Sequence, residues 1–77
     1  MNLEIVSPEK IIYSGKAEAI TVPGLKGPFT VLNRHAPIIS GLKNGTVSFT
    51  VNGKKERMTI NEGFVEAVKN KVTVCIE

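Results

Sequence analysis

A chain of 77 residues with one cysteine and a net charge of +3 has room for one hydrophobic core and no second domain. Cys75 cannot pair within the chain, and a lone His with a lone Cys cannot make a structural zinc site. A domain this small buries only roughly 60% of its unfolded surface, so a partner is the remaining source of added stability.

The 42% apolar content suits a packed core, and 22% charged residues are ordinary for a globular protein, which argues against disorder. No apolar run approaches the about 18 residues of a membrane span, and Met1-Asn2-Leu3-Glu4 lacks the basic-then-apolar start of an export signal. An intracellular protein is therefore expected. The ten Lys and Arg face seven acidic residues, all Glu. They are scattered along the chain, and a field that diffuse gives no strong nucleic-acid footprint.

Short strand-like runs separated by turn signals recur along the whole length, with no sustained helical stripe. Leu3 to Val6 predicts a first strand, stopped at Ser7-Pro8 because proline has no amide hydrogen to give a ladder. Ile11 to Ser14 predicts a second, ended by Gly15. Ala17 to Val22 predicts a third, broken by Pro23-Gly24. Phe29 to Leu32 and Ile38 to Leu42 are brief apolar runs between loops.

In the C-terminal half the period of two is cleaner. Val47, Phe49 and Val51 alternate with Thr46, Ser48 and Thr50, which predicts a half-buried strand. Asn52-Gly53 is the signature of a type I′ hairpin, leading into Lys55 to Ile60 with Met58 and Ile60 on the apolar face. Asn61-Glu62-Gly63 and Lys69-Asn70 turn the chain into Phe64 to Val68 and Lys71 to Ile76. Val72, Val74 and Ile76 are expected inside, with Thr73 and Cys75 on the other face. Phe49 and Phe64 are both assigned to the core, and Cys75 is expected to behave as a small buried hydrophobe. The sum is an all-β chain, a small two-sheet β-sandwich of about eight to ten short strands, with residues 1–77 as one domain.

Catalytic parts are few. Acyl transfer needs a nucleophile, a base and a group that orients the base, yet His35 is the only imidazole and no G-x-S-x-G elbow occurs. Gly24-Leu25-Lys26-Gly27 is followed by Pro28 and a strand, not by the helix N-terminus of a phosphate loop. No cofactor or metal is expected, and a non-catalytic binding protein is. A small basic β-barrel that binds nucleic acid is the alternative, although it needs exposed aromatic platforms among basic residues.

Folding alone does not account for Gly27 to Gly45. The run Gly27-Pro28-Phe29-Thr30-Val31-Leu32-Asn33-Arg34-His35-Ala36-Pro37, followed by Leu42-Lys43-Asn44-Gly45, resembles the epsilon subunit family of F-type ATP synthases. Leu3 to Glu9, Tyr13-Ser14-Gly15, Ala19 to Pro23, Glu62 to Glu66 and Asn70 to Val74 match that family in order and spacing, so the resemblance covers nearly the whole chain.

The resemblance implies a β-sandwich in the rotating central stalk, bound to the gamma subunit and resting on the polar loops of the membrane c-ring. It would sit at the cytoplasmic face of the inner (plasma) membrane, helping to couple ion flow to ATP synthesis without bond chemistry of its own. Residues matching the gamma-facing surface are Ser7, His35, Ser40, Asn61, Glu66 and Thr73. Those matching the ring-facing loop are Gly27, Pro28 and Phe29.

Three departures from the family pattern carry expectations. Pro28 stands where an acidic residue is common, so apolar contact through Pro28 and Phe29 is expected to replace a charge contact. Thr30 replaces a frequent glycine, and Asn33-Arg34 a common Pro-Gly. Many family members continue into a pair of helices that can inhibit ATP hydrolysis, whereas the sequence stops at Glu77. A short form without that hairpin, and without its regulation or ATP binding, is the corresponding expectation.

Overall fold

The computed structural model describes residues 1–77 and contains nine strands and no helix. They are β1 (Asn2–Val6), β2 (Ile11–Lys16), β3 (Ala19–Gly24), β4 (Gly27–Leu32), β5 (Ile38–Leu42), β6 (Gly45–Val51), β7 (Lys54–Ile60), β8 (Gly63–Val68) and β9 (Lys71–Ile76). The order β2-β1-β9-β8-β5 makes one layer, and β4-β3-β6-β7 the other. A single residue pair, Gly24 with Leu42, joins β3 to β5, so the path folds over at that point. Every pairing is antiparallel except β1 with β9.

The interior follows from the alternation. Ile5, Val65, Val72 and Val74 of the first layer face Ile20, Val22, Val31 and Val47 of the second, all at 2% exposure or less. The core cluster holds 16 residues, all apolar. No polar or charged side chain is buried, and the polar groups that reach the core are backbone ones that find partners, such as the Met1 ammonium, which donates to the Ala17 carbonyl oxygen at 3.0 Å.

Turn chemistry is where sequence and structure agree best. Asn52 and Gly53 take φ values of 51° and 78°, and Lys69 and Asn70 take 50° and 61°, the two successive positive values that a type I′ hairpin requires.

Two expected strand breaks are absent. β2 continues through Gly15 to Lys16, with Gly15 opposite Leu3. β3 and β4 continue through Pro23-Gly24 and Gly27-Pro28 into a two-residue loop. The reason is register: Gly24 pairs with Gly27 beside the loop and Pro23 pairs with Pro28. Hydrogen-bonded and non-hydrogen-bonded pairs alternate along an antiparallel ladder. The two prolines share one non-bonded pair, where neither needs an amide hydrogen. On its other side β3 meets β6 only from Ala19 to Thr21, so Pro23 is not asked to donate there either.

Candidate docking face

The outer surfaces of the two layers differ in chemistry. On the β4-β3-β6-β7 layer, Thr30, Thr21, Ser48 and Arg57 lie side by side in register, and the Thr21 and Thr30 hydroxyls are 2.8 Å apart. This is an ordinary solvated sheet face.

The outer face of β2-β1-β9-β8-β5 is arranged in three rows that run across the strands. Lys16, Asn2, Lys71 and Val68 form the first. Ser14, Glu4, Thr73, Glu66 and Ile39 form the second. Ile11, Val6, Cys75 and Phe64 form the third, which Gly41 extends on β5. Rows are separated by two residues, about 7 Å, and neighbouring strands by about 4.8 Å. The charges of this face are thus cationic in the first row, acidic in the second and absent from the third, while exposed apolar side chains also border the charged rows on the β8–β5 side, at Val68 in the first and Ile39 in the second. Ile39 is 71% exposed, Phe64 48% and Val68 42%.

This arrangement corrects two expectations. Phe64 is on the surface and not in the core, because Val65 and Ala67 take the inward positions of β8. Cys75 is half-buried on the same outer face, beside Val6, Ser7, Pro8 and Phe64 in a hollow of about 250 Å³. Phe49 is in the core as expected, 7% exposed, with its ring centroid 4.8 Å from that of Tyr13.

The family-matched residues fall into distinct places. Glu66 and Thr73 are direct neighbours in the middle row. Ser7 follows β1, and Asn61 lies in the β7–β8 turn at the same end of the sandwich. His35 lies at the other end, in the β4–β5 loop, where its Nδ1 is 2.7 Å from the Ala36 carbonyl oxygen. These five therefore run the length of one face. Ser40 does not join them: it is opposite Val65, shares that residue's inward side and is half-buried.

Of the ring-facing residues, Pro28 is exposed, Gly27 is half-buried, and Phe29 packs against the core. The exposed apolar side chain at that hairpin is Leu25, at 62%, which the sequence pattern did not single out. No His, Cys, Asp or Glu grouping that could hold a metal ion is present.

Cations that are scattered in sequence are gathered in space. Lys16, Arg34, Lys54, Lys69 and Lys71 all belong to strand ends or turns at one end of the sandwich, where Glu18 is the acidic residue among them. The Arg34 amide donates to Asn70 Oδ1 at 3.0 Å, tying the β4–β5 loop to the β8–β9 turn. The opposite end mixes Lys10, Lys26 and Lys43 with Glu9, Glu62 and Glu77. No spacing in the sequence marks this segregation, because it depends on which turns share an end.

Comparison with known proteins gives consistent matches. A family model described as the ATP synthase delta/epsilon chain, beta-sandwich domain, matches residues 1–77. An ATP synthase epsilon chain of Desulfatibacillum aliphaticivorans is 46% identical over 76 residues, 97% of this chain and 54% of that protein. One from Desulfitobacterium hafniense is 43% identical over 72 residues, 94% of this chain and 54% of its own length. The chain thus spans about half the length of these relatives.

Among solved structures, a chain of the Euglena gracilis mitochondrial ATP synthase assembly of OSCP, F1 and c-ring superposes with a TM-score of 0.90 at 23% identity. The superposition covers 96% of this chain and 48% of that one. A chain from the central stalk and c-ring of the Tetrahymena thermophila enzyme gives 0.82 at 14% identity, covering 97% and 61%. At these identities the likeness is one of fold.

Proposed function

The chain belongs to the family of ATP synthase delta/epsilon-chain β-sandwich domains, and from that premise we propose that it is a non-catalytic rotor element of the central stalk. In this reading residues 1–77 act as one unit that holds the gamma subunit through the outer face of β2-β1-β9-β8-β5. The same unit meets the polar loops of the c-ring through the β3–β4 hairpin. It passes ion-driven rotation of the ring to gamma at the cytoplasmic face of the membrane and makes or breaks no bond itself.

The observation that carries the reading is the exposure of Ile39, Phe64 and Val68 on that face, next to the family-matched Glu66 and Thr73. Apolar side chains grouped on one face are more informative than single exposed ones, because grouping marks a surface that a partner covers. Ser7, His35 and Asn61 lie around its borders. At the ring end, Pro28 with Leu25 offers an apolar contact in place of the family's acidic one, and Gly27 and Phe29 shape the hairpin that presents them.

Co-elution with a cognate gamma subunit at micromolar concentration tests the assignment. A stable interface should bury on the order of 1,000 Å² or more. Failure of the two purified proteins to co-elute sinks the rotor reading.

The cationic end favours one other reading, a module that binds nucleic acid. It is the weaker, since stacking platforms are needed among the cations and the exposed aromatic Phe64 lies at the far end of the sheet. Affinity for single-stranded RNA or DNA that falls steeply with salt would revive it.

A further inference from the structure

We infer that the three rows of the outer sheet face encode one docking register for gamma, an inference that rests on the rotor reading and gives its interface a chemistry. By charge the rows are cationic (Lys16, Lys71), acidic (Glu4, Glu66) and uncharged (Val6, Phe64), stacked along the strands, with Val68 and Ile39 adding exposed apolar side chains at the β8–β5 side of the first two. The surface of gamma that covers them presents carboxylates over the first, hydrogen-bond donors or cations over the second and apolar anchors over the third.

The fold itself does not require this order. None of the four charged side chains joins the hydrogen bonds that the chain's own side chains make, and solvated charges of this kind contribute little to stability. Their placement matters when a partner excludes water. A partner shifted by one row then sets Lys71 against a cation or Glu66 against a carboxylate, and a desolvated charge facing its like lowers affinity by orders of magnitude. The apolar side chains supply attraction that is indifferent to direction, and the two charged rows supply the direction. Glu66 and Thr73, neighbours in the middle row, connect the rows to the positions matched to the family's gamma-facing surface. The outer face of the opposite layer has no comparable rows and serves as the internal control.

The test measures the affinity of the domain for its cognate gamma as a function of salt, for the unaltered protein and for Lys71→Glu, Glu66→Lys, Phe64→Ala and Thr59→Lys. Thr59 lies on the outer face of the other layer. All four positions are exposed, and a thermal melt of each variant checks that it folds. The two charge reversals are expected to weaken binding by about tenfold or more and to change its salt dependence. Phe64→Ala is expected to weaken it by about tenfold with the salt dependence kept. Thr59→Lys should leave both unchanged.

Binding by the unaltered domain that survives both charge reversals, with the same salt dependence, overturns the docking register and leaves the rotor reading standing. Absence of binding by the unaltered domain overturns both. Self-association of the domain through these rows, blocked by the same variants and not displaced by gamma, assigns the face to a second copy and overturns the inference.

Discussion

Glu18 holds the β6–β7 hairpin by its tip: Oε1 accepts from the Gly53 amide at 3.0 Å. Its Oε2 accepts from the neighbouring Asn52 amide at 3.2 Å, and the Glu18 amide donates to the Thr50 carbonyl at 2.8 Å. One residue at the entry to β3 thereby fixes the turn of a different hairpin, and ties together two strands that pair for only three residues. Replacing Glu18 with Ala leaves the backbone bond and removes the carboxylate. A loss of about 1 kcal/mol is expected, seen as a fall in Tm of about 4 to 8 °C for a domain of this size. An unchanged melting curve would show that the solvated pair of bonds contributes nothing.

Gly63 opens β8 opposite Ile76, and a methyl group added there would overlap the Cys75 carbonyl oxygen, which belongs to the backbone and cannot swing away. Gly63→Ala is therefore expected to destabilise the domain by about 1 to 3 kcal/mol. Gly53 has open space around an added carbon but a φ of 78°. Gly53→Ala strains only the turn and costs about 1 to 2 kcal/mol. Urea unfolding of both variants separates contact from conformation: Gly63→Ala loses stability through a clash, whereas Gly53→Asn, which tolerates the left-handed region, recovers most of the loss at Gly53.

Which parts of this fold were legible depended on how local their causes are. The type I′ turn at Asn52-Gly53 and the presence of a turn at Lys69-Asn70 are set by a few consecutive residues, and the inward Val72, Val74 and Ile76 by strict alternation. Gly15 continues β2 because it keeps its place opposite Leu3, and Pro23 continues β3 because a proline's cost depends on whether its partner asks for an amide. That partner, Pro28, is five residues away across a hairpin. The site was less visible still. The family-matched positions could be named from resemblance, but the row order of lysine, glutamate and phenylalanine arises only when β1, β8 and β9 lie side by side, with β1 and β9 far apart in sequence.

Phe49 and Phe64 give this its sharpest test. Val47, Phe49 and Val51 make one wholly apolar face of β6, whereas on β8 Phe64 and Val68 share their face with Glu66, and it is the Val65-Ala67 face, free of charge, that turns inward. Phe49→Ala should cost about 3 to 5 kcal/mol, because its ring is buried against Tyr13. Phe64→Ala should change the stability of the isolated domain by less than about 1 kcal/mol. Similar losses at the two positions, measured by denaturant midpoint at a common m-value, would return Phe64 to the core.

The two family-matched residues at the opposite ends of β5 and its preceding loop should part in the same way. His35 is exposed beyond the sheet edge, so His35→Glu alters charge at a rim already rich in Arg34, Lys69 and Lys71 and leaves the fold intact. Its effect is expected on gamma affinity alone. Ser40 faces inward opposite Val65, and its hydroxyl donates to the Gly41 carbonyl oxygen at 3.0 Å. Ser40→Arg must place a long cation between the layers or force β5 away from β8, an overpacking that costs about 1 to 3 kcal/mol. Any fall in gamma affinity at Ser40 should therefore track a fall in Tm, whereas one at His35 should not. A Ser40→Arg domain that melts like the parent yet fails to hold gamma would put residue 40 back on the contact surface.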